Sequence, residues 1–386
     1  MANQEHVKIL MQGVDLWHEW RKRHPDIEPD LHEADLQGVN LRGADLHAVD
    51  LMGANLREAI LNGAILTFAQ LGGADLREAD LGYKEVERDH ITHVFAGAVL
   101  CFADLSEANL SRIRLVHADL SGAILNKANL SEADLAYANL TEANLKSANL
   151  TGANLRQAVL FATDLNGADL HSSNLQGSSF EAANLSNANL SGSMVSGINA
   201  TGAYMHQTLQ SDLFIPLFHL SLKVDELGMA QFISFIIDHP AVWKMVQITR
   251  TNLVLLLGCD RGEQSEVIKI LKTELQQRGY TPVICDFQRG QDQAVPGQLA
   301  TLIRVARFVI VDTTGIENVA QELGSMFIQY PSIPVLSLSK KTSQDSEGSA
   351  EGEDFSSVQT FYQYRDANDV EKALNGHLIE MMEQKL

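Results

Sequence analysis

The sequence predicts a square coil of short strands over residues 31–208, followed over residues 251–386 by a three-layer α/β domain with a mainly parallel sheet. Three observations predict it. Leu and Ala recur every five residues from Leu31 onward, as in EADLQ, GVNLR, GADLH and GANLR. Beyond residue 251, apolar runs of strand length alternate with amphipathic helical segments. The chain has 386 residues, 45% of them hydrophobic, which is more than one hydrophobic core serves.

The period of five decides the first unit. It matches neither the two-residue alternation of a strand nor the 3.6-residue turn of a helix, so no straight element keeps Leu and Ala on one face. A backbone that turns a corner at every pentapeptide does. The Leu at the centre and the Ala two residues earlier then point inward, and Asp, Asn, Arg, Glu, Ser and Gln at the other three positions face water. Centres fall at 31, 36, 41 and onward to 81, then resume at 95 and 100 and continue to about 205. The interval from 81 to 95 is not a multiple of five. The charged segment GYKEVERDHITH supplies the phase break at 82–94, read as a bulge or short insertion. Roughly 34 repeats at four per coil make eight or nine coils, about 40 Å at the ~4.8 Å spacing of stacked strands.

Both ends of such a stack expose apolar coil, so caps are expected. Residues 1–30 supply one as a helix, with Ile9, Leu10, Val14 and Trp17 at helical spacing and Pro25 as its stop. At the far end the repeats decay through ANLSGSMVSGINATGAYM into QTLQSDLFIPLFHLSLKV, and the first unit ends near residue 208.

Ala34-Asp35-Leu36, Ala44-Asp45-Leu46, Ala143-Asn144-Leu145 and Ala153-Asn154-Leu155 share an A(D/N)LXX pattern. On these residues the segment from about 31 to 205 resembles the pentapeptide-repeat family. The resemblance implies a right-handed quadrilateral β-helix.

Residues 209–250 read as a helical connector, with the apolar AQFISFIIDHPAVWKMVQ interrupted near Pro240. TNLVLLLGCD reads as a buried strand. The next segment places Val267, Ile268, Leu271 and Leu275 on one helical face and Gly279 at its stop. YTPVICDF, QLATLIRVAR, FVIVDT, ENVAQELGSMF and IPVLSL continue the alternation, which means a parallel sheet with helices on both faces. The polar, acidic stretch 339–357 is expected to be a mobile loop. A strand in VQTFYQY and a helix in ANDVEKALNGHLIEMM close the chain.

In open parallel sheets, ligands bind beyond the carboxyl ends of the strands. That rule nominates Gly258, Cys259, Asp260 and Arg261 after the first strand, Asp286 after the second and Asp312 and Thr313 after the third. GCDRGE has neither the G-x-G-x-x-G fingerprint nor the GK[ST] ending of a P-loop, which excludes dehydrogenase-like and kinase-like phosphate binding. Helix N-termini at 263 and 317 offer N–H donors to an anion. FVIVDTTGIENVAQELG resembles the third strand and following helix of TIR and nucleoside deoxyribosyltransferase-like domains, although the serine and tryptophan signature of active TIR enzymes is missing. The resemblance implies catalytic roles for Glu322 and its strand-end partner Asp312 in breaking an N-glycosidic bond. A carboxylate there stabilises an oxocarbenium-like centre or attacks the sugar carbon, with a nucleotide such as NAD as ligand or substrate. The plain alternatives are a solvated Glu322, an Asp312 that caps the next helix, an inert buried Cys259 thiol and a solvated Arg261. Cys101, Cys259 and Cys285 lack CxxC spacing, and His90 and His93 lack a third ligand, so neither a disulfide nor a metal is expected.

Asp plus Glu number 49 against 29 Lys plus Arg, a net charge of −20. Such a chain repels phosphate backbones and anionic headgroups, so neither a nucleic-acid nor a membrane partner is expected. MANQEHVKIL lacks a signal-peptide pattern and no apolar run approaches a membrane span, which reads as cytoplasmic. The leading functional expectation is a protein-interaction scaffold, a rigid acidic β-helix that presents the α/β domain to a protein partner; homo-oligomerisation is left open. The alternative is a nucleotide-binding or NAD/nucleoside N-glycosidase-type signalling effector in the second domain. Placed last is a DNA mimic that regulates gyrase, as some pentapeptide-repeat proteins do, since the repeats carry roughly ten net negative charges. Whether the protein is an enzyme stays open.

Overall fold

The computed structural model describes residues 2–82, 84–88, 91–95, 97–217, 220–238, 252–258, 263–287, 297–314, 323–327, 333–341 and 360–384. The chain divides into two compact units, Met1–Leu213 and Phe214–Leu386.

In the first unit each pentapeptide contributes one bridge residue, paired in parallel with the residue 20 positions further on, as in Asp35 with Asn55 and Asn129 with Asn149. Twenty residues are four pentapeptides, so the coil has four sides. Most corners are turns in which an Ala N–H donates to the preceding Leu carbonyl, at 3.0 Å for both Ala34 to Leu31 and Ala153 to Leu150, with Val39 or Ser173 in that place at others. The second central residue of the turn has positive φ, +65° at Gly38 and +59° at Glu33, while the first does not, the sign pattern of a type II turn. Glycine recurs at that position because it alone adopts this conformation at no steric cost. Leu46, Leu66 and Leu145 are fully buried, as are the alanines two residues before each centre, among them Ala44, Ala64 and Ala143.

The residue just before each centre does not simply face water. It is mostly half-buried, and its side chain accepts the N–H two residues on, from His32 to Asp30 at 3.1 Å and from Thr151 to Asn149 at 3.0 Å. Asp and Asn recur there because a short carbonyl-bearing side chain closes this Asx turn. Successive coils are also linked: Asn55 donates to Asp35 at 2.8 Å, Asn154 to Asp134 at 2.9 Å and Asn189 to Asp169 at 3.1 Å. Asn beneath Asp supplies a donor where a second carboxylate would repel the first.

At the phase break the pairing distance rises to 34 residues, with Ile65 opposite Val99 and Asp80 opposite Arg114. The insertion forms an antiparallel hairpin of β1 (Lys84–Arg88) and β2 (Ile91–Phe95), with Lys84 opposite Phe95. Ala98 then donates to the Leu81 carbonyl at 2.8 Å and closes the interrupted corner. Phe95 therefore lies on β2, and the expectation that the centres resume at 95 is corrected: they resume at Leu100. The loop leaves and re-enters at one turn, so the stack below keeps its alignment. Asn62 is fully buried and holds the exit point, donating to the Gly82 carbonyl at 2.7 Å and to Asp80 at 2.9 Å. At the re-entry, a Cβ on Gly97 would lie 2.3 Å from the His117 carbonyl oxygen and 2.7 Å from the Ala118 nitrogen, both backbone atoms. Gly97→Ala is expected to lower stability by about 1–3 kcal/mol through this overlap, read as a drop in melting temperature; an unchanged melt would refute the tight approach.

The N-terminal cap is two helices rather than one, α1 (Gln4–Met11) and α2 (Val14–Arg23), because Gly13 sits between them at φ +122°. Of the four apolar residues at helical spacing, Leu10 and Trp17 are buried while Ile9 and Val14 are only half-buried. The cap meets the backbone groups that have no preceding coil. The Asp30 and Asp45 N–H groups each donate at 3.0 Å, to His6 Nδ1 and His18 Nε2. Trp17 Nε1 donates to the Asp45 carbonyl at 2.7 Å and Arg21 to the His47 carbonyl at 2.9 Å.

The second unit is built on a seven-stranded sheet. Its elements are β3 (Leu213–Leu217), β4 (Leu220–Val224), α3 (Leu227–Asp238), β5 (Leu253–Gly258), α4 (Glu263–Gln277), β6 (Thr281–Asp286), α5 (Gly297–Val305), β7 (Phe308–Asp312), β8 (Val335–Lys340), β9 (Thr360–Tyr364), α6 (Ala367–Ala373), a π-helical turn (Leu374–Leu378) and α7 (Ile379–Glu383). The strand order is β3-β4-β6-β5-β7-β8-β9. Neighbours from β6 to β9 are parallel, and β4 is antiparallel to β6. The segment expected as a helical connector, 209–250, thus also supplies two strands. The period-two alternation of buried Leu222 and Val224 with half-buried Ser221 and Lys223 was the signal for the second. Val267, Ile268, Leu271 and Leu275 of α4 pack with Val370 of α6 against Val254, Leu256 and Ile310. Helix α3 packs with α5, which also touches β5. Every residue of β5 is buried, as a strand covered on both faces requires. Ser339 and Lys340, expected in the mobile loop 339–357, belong to β8, while 342–359 lie outside the described residues, as does Pro240.

Candidate functional site

Numbered from β5, the parallel strands stand in the order 2-1-3-4-5, a doubly wound arrangement whose direction reverses between β5 and β7. Gly258 and Asp312 end these two strands, and Asp286 is aligned with Gly258 at the end of β6. The fold therefore brings Gly258, Asp286, Asp312 and Thr313 to one edge of the sheet. A Cβ on Gly258 would sit 3.5 Å from the Asp312 Cβ and 3.6 Å from Ile268 Cδ1, ordinary packing distances, so the two strand ends lie side by side. Of the other nominated residues, Cys259, Asp260, Arg261 and Glu322 lie outside the described residues, as do His90 and position 317.

Asp312 is 2% exposed, and both of its oxygens are engaged. Oδ2 accepts from the Tyr364 hydroxyl at 2.9 Å, and Oδ1 accepts from the Thr314 N–H at 3.0 Å. The Thr314 hydroxyl lies 3.3 Å from that of Tyr364 and accepts the Lys340 N–H at 3.0 Å. Thr313 donates through Oγ1 to the Leu338 carbonyl at 3.0 Å. This network fastens the ends of β7, β8 and β9 together, so Asp312 and Thr313 have structural partners. Sequence reasoning missed Tyr364 and Thr314, since nothing local shows that a tyrosine ending the last strand reaches across β8. Tyr364→Phe removes the hydroxyl that donates to Asp312 Oδ2 and is expected to cost about 1–3 kcal/mol, measured by denaturant unfolding. A change within error would show that the bond carries no net stability.

Cys285 is buried on β6, and burial, with the neighbouring Asp286 charge, pushes its thiol above the ordinary range, which makes it a poor nucleophile. Among the described residues no group of three or more His, Cys, Asp or Glu side chains could hold a metal ion, and no helix is long and apolar enough to cross a membrane.

Comparison with known proteins bears on the first unit. The family of pentapeptide repeats matches residues 30–82 and 94–207 in successive copies, leaving out residues 83–93 of the insertion. Those residues are pentapeptide repeats. Such repeats fold as right-handed β-helices, in agreement with the four-sided coil. Among solved structures, the chain is 29% identical to HetL, a pentapeptide-repeat protein involved in heterocyst differentiation regulation from the cyanobacterium Nostoc sp. strain PCC 7120, covering 50% of this chain and 95% of that one at a TM-score of 0.28. It is 37% identical to the pentapeptide-repeat protein Rfr23 from the cyanobacterium Cyanothece 51142, over 23% of this chain and 58% of that one, at a TM-score of 0.16. With QnrB1, a plasmid-mediated fluoroquinolone resistance protein, the identity is 18% over 44% and 85% of the two chains at a TM-score of 0.23. At these scores the superpositions add nothing, and the family assignment rests on the repeats. No curated protein matches the chain.

Proposed function

We propose that this pentapeptide-repeat protein is a cytoplasmic interaction scaffold. The observation that carries the reading is the solid interior of the β-helix. Leu and Ala fill it at every coil, so it admits no substrate, and the recurrent Asp and Asn side chains are committed to Asx turns. What such a column offers is an ordered outer surface on a rigid frame. The test is reconstitution: proteins retained by the immobilised full-length chain are purified and titrated back. A saturable complex of fixed stoichiometry is expected, and its absence with the chain folded would overturn the reading.

The strand order favours a second reading. We read the second unit as a three-layer α/β domain of the flavodoxin or TIR type that binds a nucleotide at the β5–β7 reversal. Ligand at 100 times Kd raises apparent stability by about 2.7 kcal/mol through mass action. Melting of the full-length chain with NAD, nucleosides and nucleoside phosphates is the measurement. Release of free base that Glu322→Ala abolishes would make it an N-glycosidase; no shift with any of these ligands would remove the reading.

A further inference from the structure

The four sides of the β-helix differ. One is built on the stacked bridge residues Asp45, Ile65, Val99, Asp119, Asn139 and Val159. Its pentapeptides, ADLHA, AILTF, AVLCF, ADLSG, ANLTE, AVLFA, SSFEA and INATG, contain no Lys or Arg, whereas the other sides carry Lys127, Arg57 and Arg114 among others. The same side holds Ile65 at 43% exposure, Phe68 at 54%, Phe102 at 56%, and Val159 and Phe161 at 42%.

Phe68 and Phe102 occupy corner positions with φ of +59° and +57°. Folding favours glycine there, and solubility favours a polar residue. Phenylalanine serves neither. The two rings stack at 5.5 Å, with His47 edge-on to Phe68 at 5.7 Å. Phe102 lies over Gly122, where an added Cβ would collide with its ring. The neighbouring rungs are thus cut to hold these rings in place.

Apolar groups form two clusters on this side, one around Phe68 and Phe102 on the second and third coils and one at Val159 and Phe161 on the sixth. The stacked-strand spacing places them about 17 Å apart, the rise of about 11 helical residues or three turns. Between them stand Asp119 and Glu142. Burial raises the Asp119 pKa, but hydrogen bonds from Ser121, Cys101 and Asn139 outweigh it and hold the carboxyl below its ordinary value.

Resting on the scaffold reading, we infer that this side docks an amphipathic helix of a protein partner, with two apolar clusters three turns apart and Arg or Lys side chains between them. Charge complementarity selects that occupant. The pentapeptides of a second copy of this side bring no Lys or Arg, Arg21 of α2 at its N-terminal end is already engaged with Asp45 and the His47 carbonyl, and the pairing would set carboxylate against carboxylate.

The test uses the full-length chain and a fluorescein-labelled peptide of leucine and arginine in that pattern, read by anisotropy. Saturable binding is expected, weakened at least tenfold by Phe68→Ser with Phe102→Ser. Asp119→Asn with Glu142→Gln should weaken it several-fold and flatten its salt dependence, with melting unchanged, since Asn is equally at home in the Asx turn. Equal binding of a peptide with Glu for Arg, no effect of the Phe substitutions, or a dimer that those substitutions dissolve would each overturn the inference. A photo-crosslinker at position 102 or at Ser172 on the opposite side separates the two readings: adducts from 172 alone retain the scaffold and remove this surface, and adducts from neither remove both.

Discussion

Leu125→Asp is expected to abolish the cooperative unfolding of the repeat column. Leu125 is fully buried, and its own N–H is already committed to the Asn144 carbonyl at 2.7 Å. A carboxylate at this centre would meet only Leu and Ala side chains and backbone groups paired from coil to coil. The penalty for an unpaired buried ion is several kcal/mol, comparable to the whole stability of a domain. Because each coil rests on its neighbours, the lesion also divides the stack into shorter halves. Loss of the calorimetric transition, with reduced circular dichroism, is the expected result; a retained transition would contradict the packed interior. The interior does accept polar groups that bring their own partner. Ser173 and Ser193 lie 3.1 Å apart, and Ser193 donates to the Leu170 carbonyl at 2.7 Å. A carboxylate at 125 has no such donor.

Trp17→Ala should destabilise the N-terminal end by about 3–5 kcal/mol, the usual cost of deleting a fully buried aromatic side chain. Trp17 is completely covered, stacks on Trp20 at 5.4 Å and donates to the Asp45 carbonyl. Its removal would leave that carbonyl unpaired and loosen the helix that carries His18, so the Asp45 N–H loses its acceptor as well. Hydrogen exchange should show the first-coil amides Asp30 to Asp45 losing protection before those of later coils. Uniform loss along the column, or none, would show that the helices are not a cap.

The parallel strand–helix alternation was legible in the second half because apolar runs and helical faces are local patterns. Three features were not. The hairpin needed the knowledge that residue 65 pairs with residue 99, and a phase count gave only the length of the insertion. Gly13 splits the cap helix through a backbone conformation, which the apolar spacing does not report. The Asp312 knot joins three strand ends through Tyr364, which is 52 residues away in sequence. Of the candidate site, strand ends placed Gly258, Asp286, Asp312 and Thr313 together, but only coordinates show which oxygens are already taken.

By itself, then, the sequence determined the coil: a period of five with Leu and Ala at fixed places leaves the backbone no other way to bury them. The tertiary structure alone decided what those coils present to a partner. Residues that meet on one side are 20 or 34 positions apart, so the aromatic corner at Phe68 and Phe102, on a side whose own pentapeptides carry no Lys or Arg, exists only once the chain has been wound.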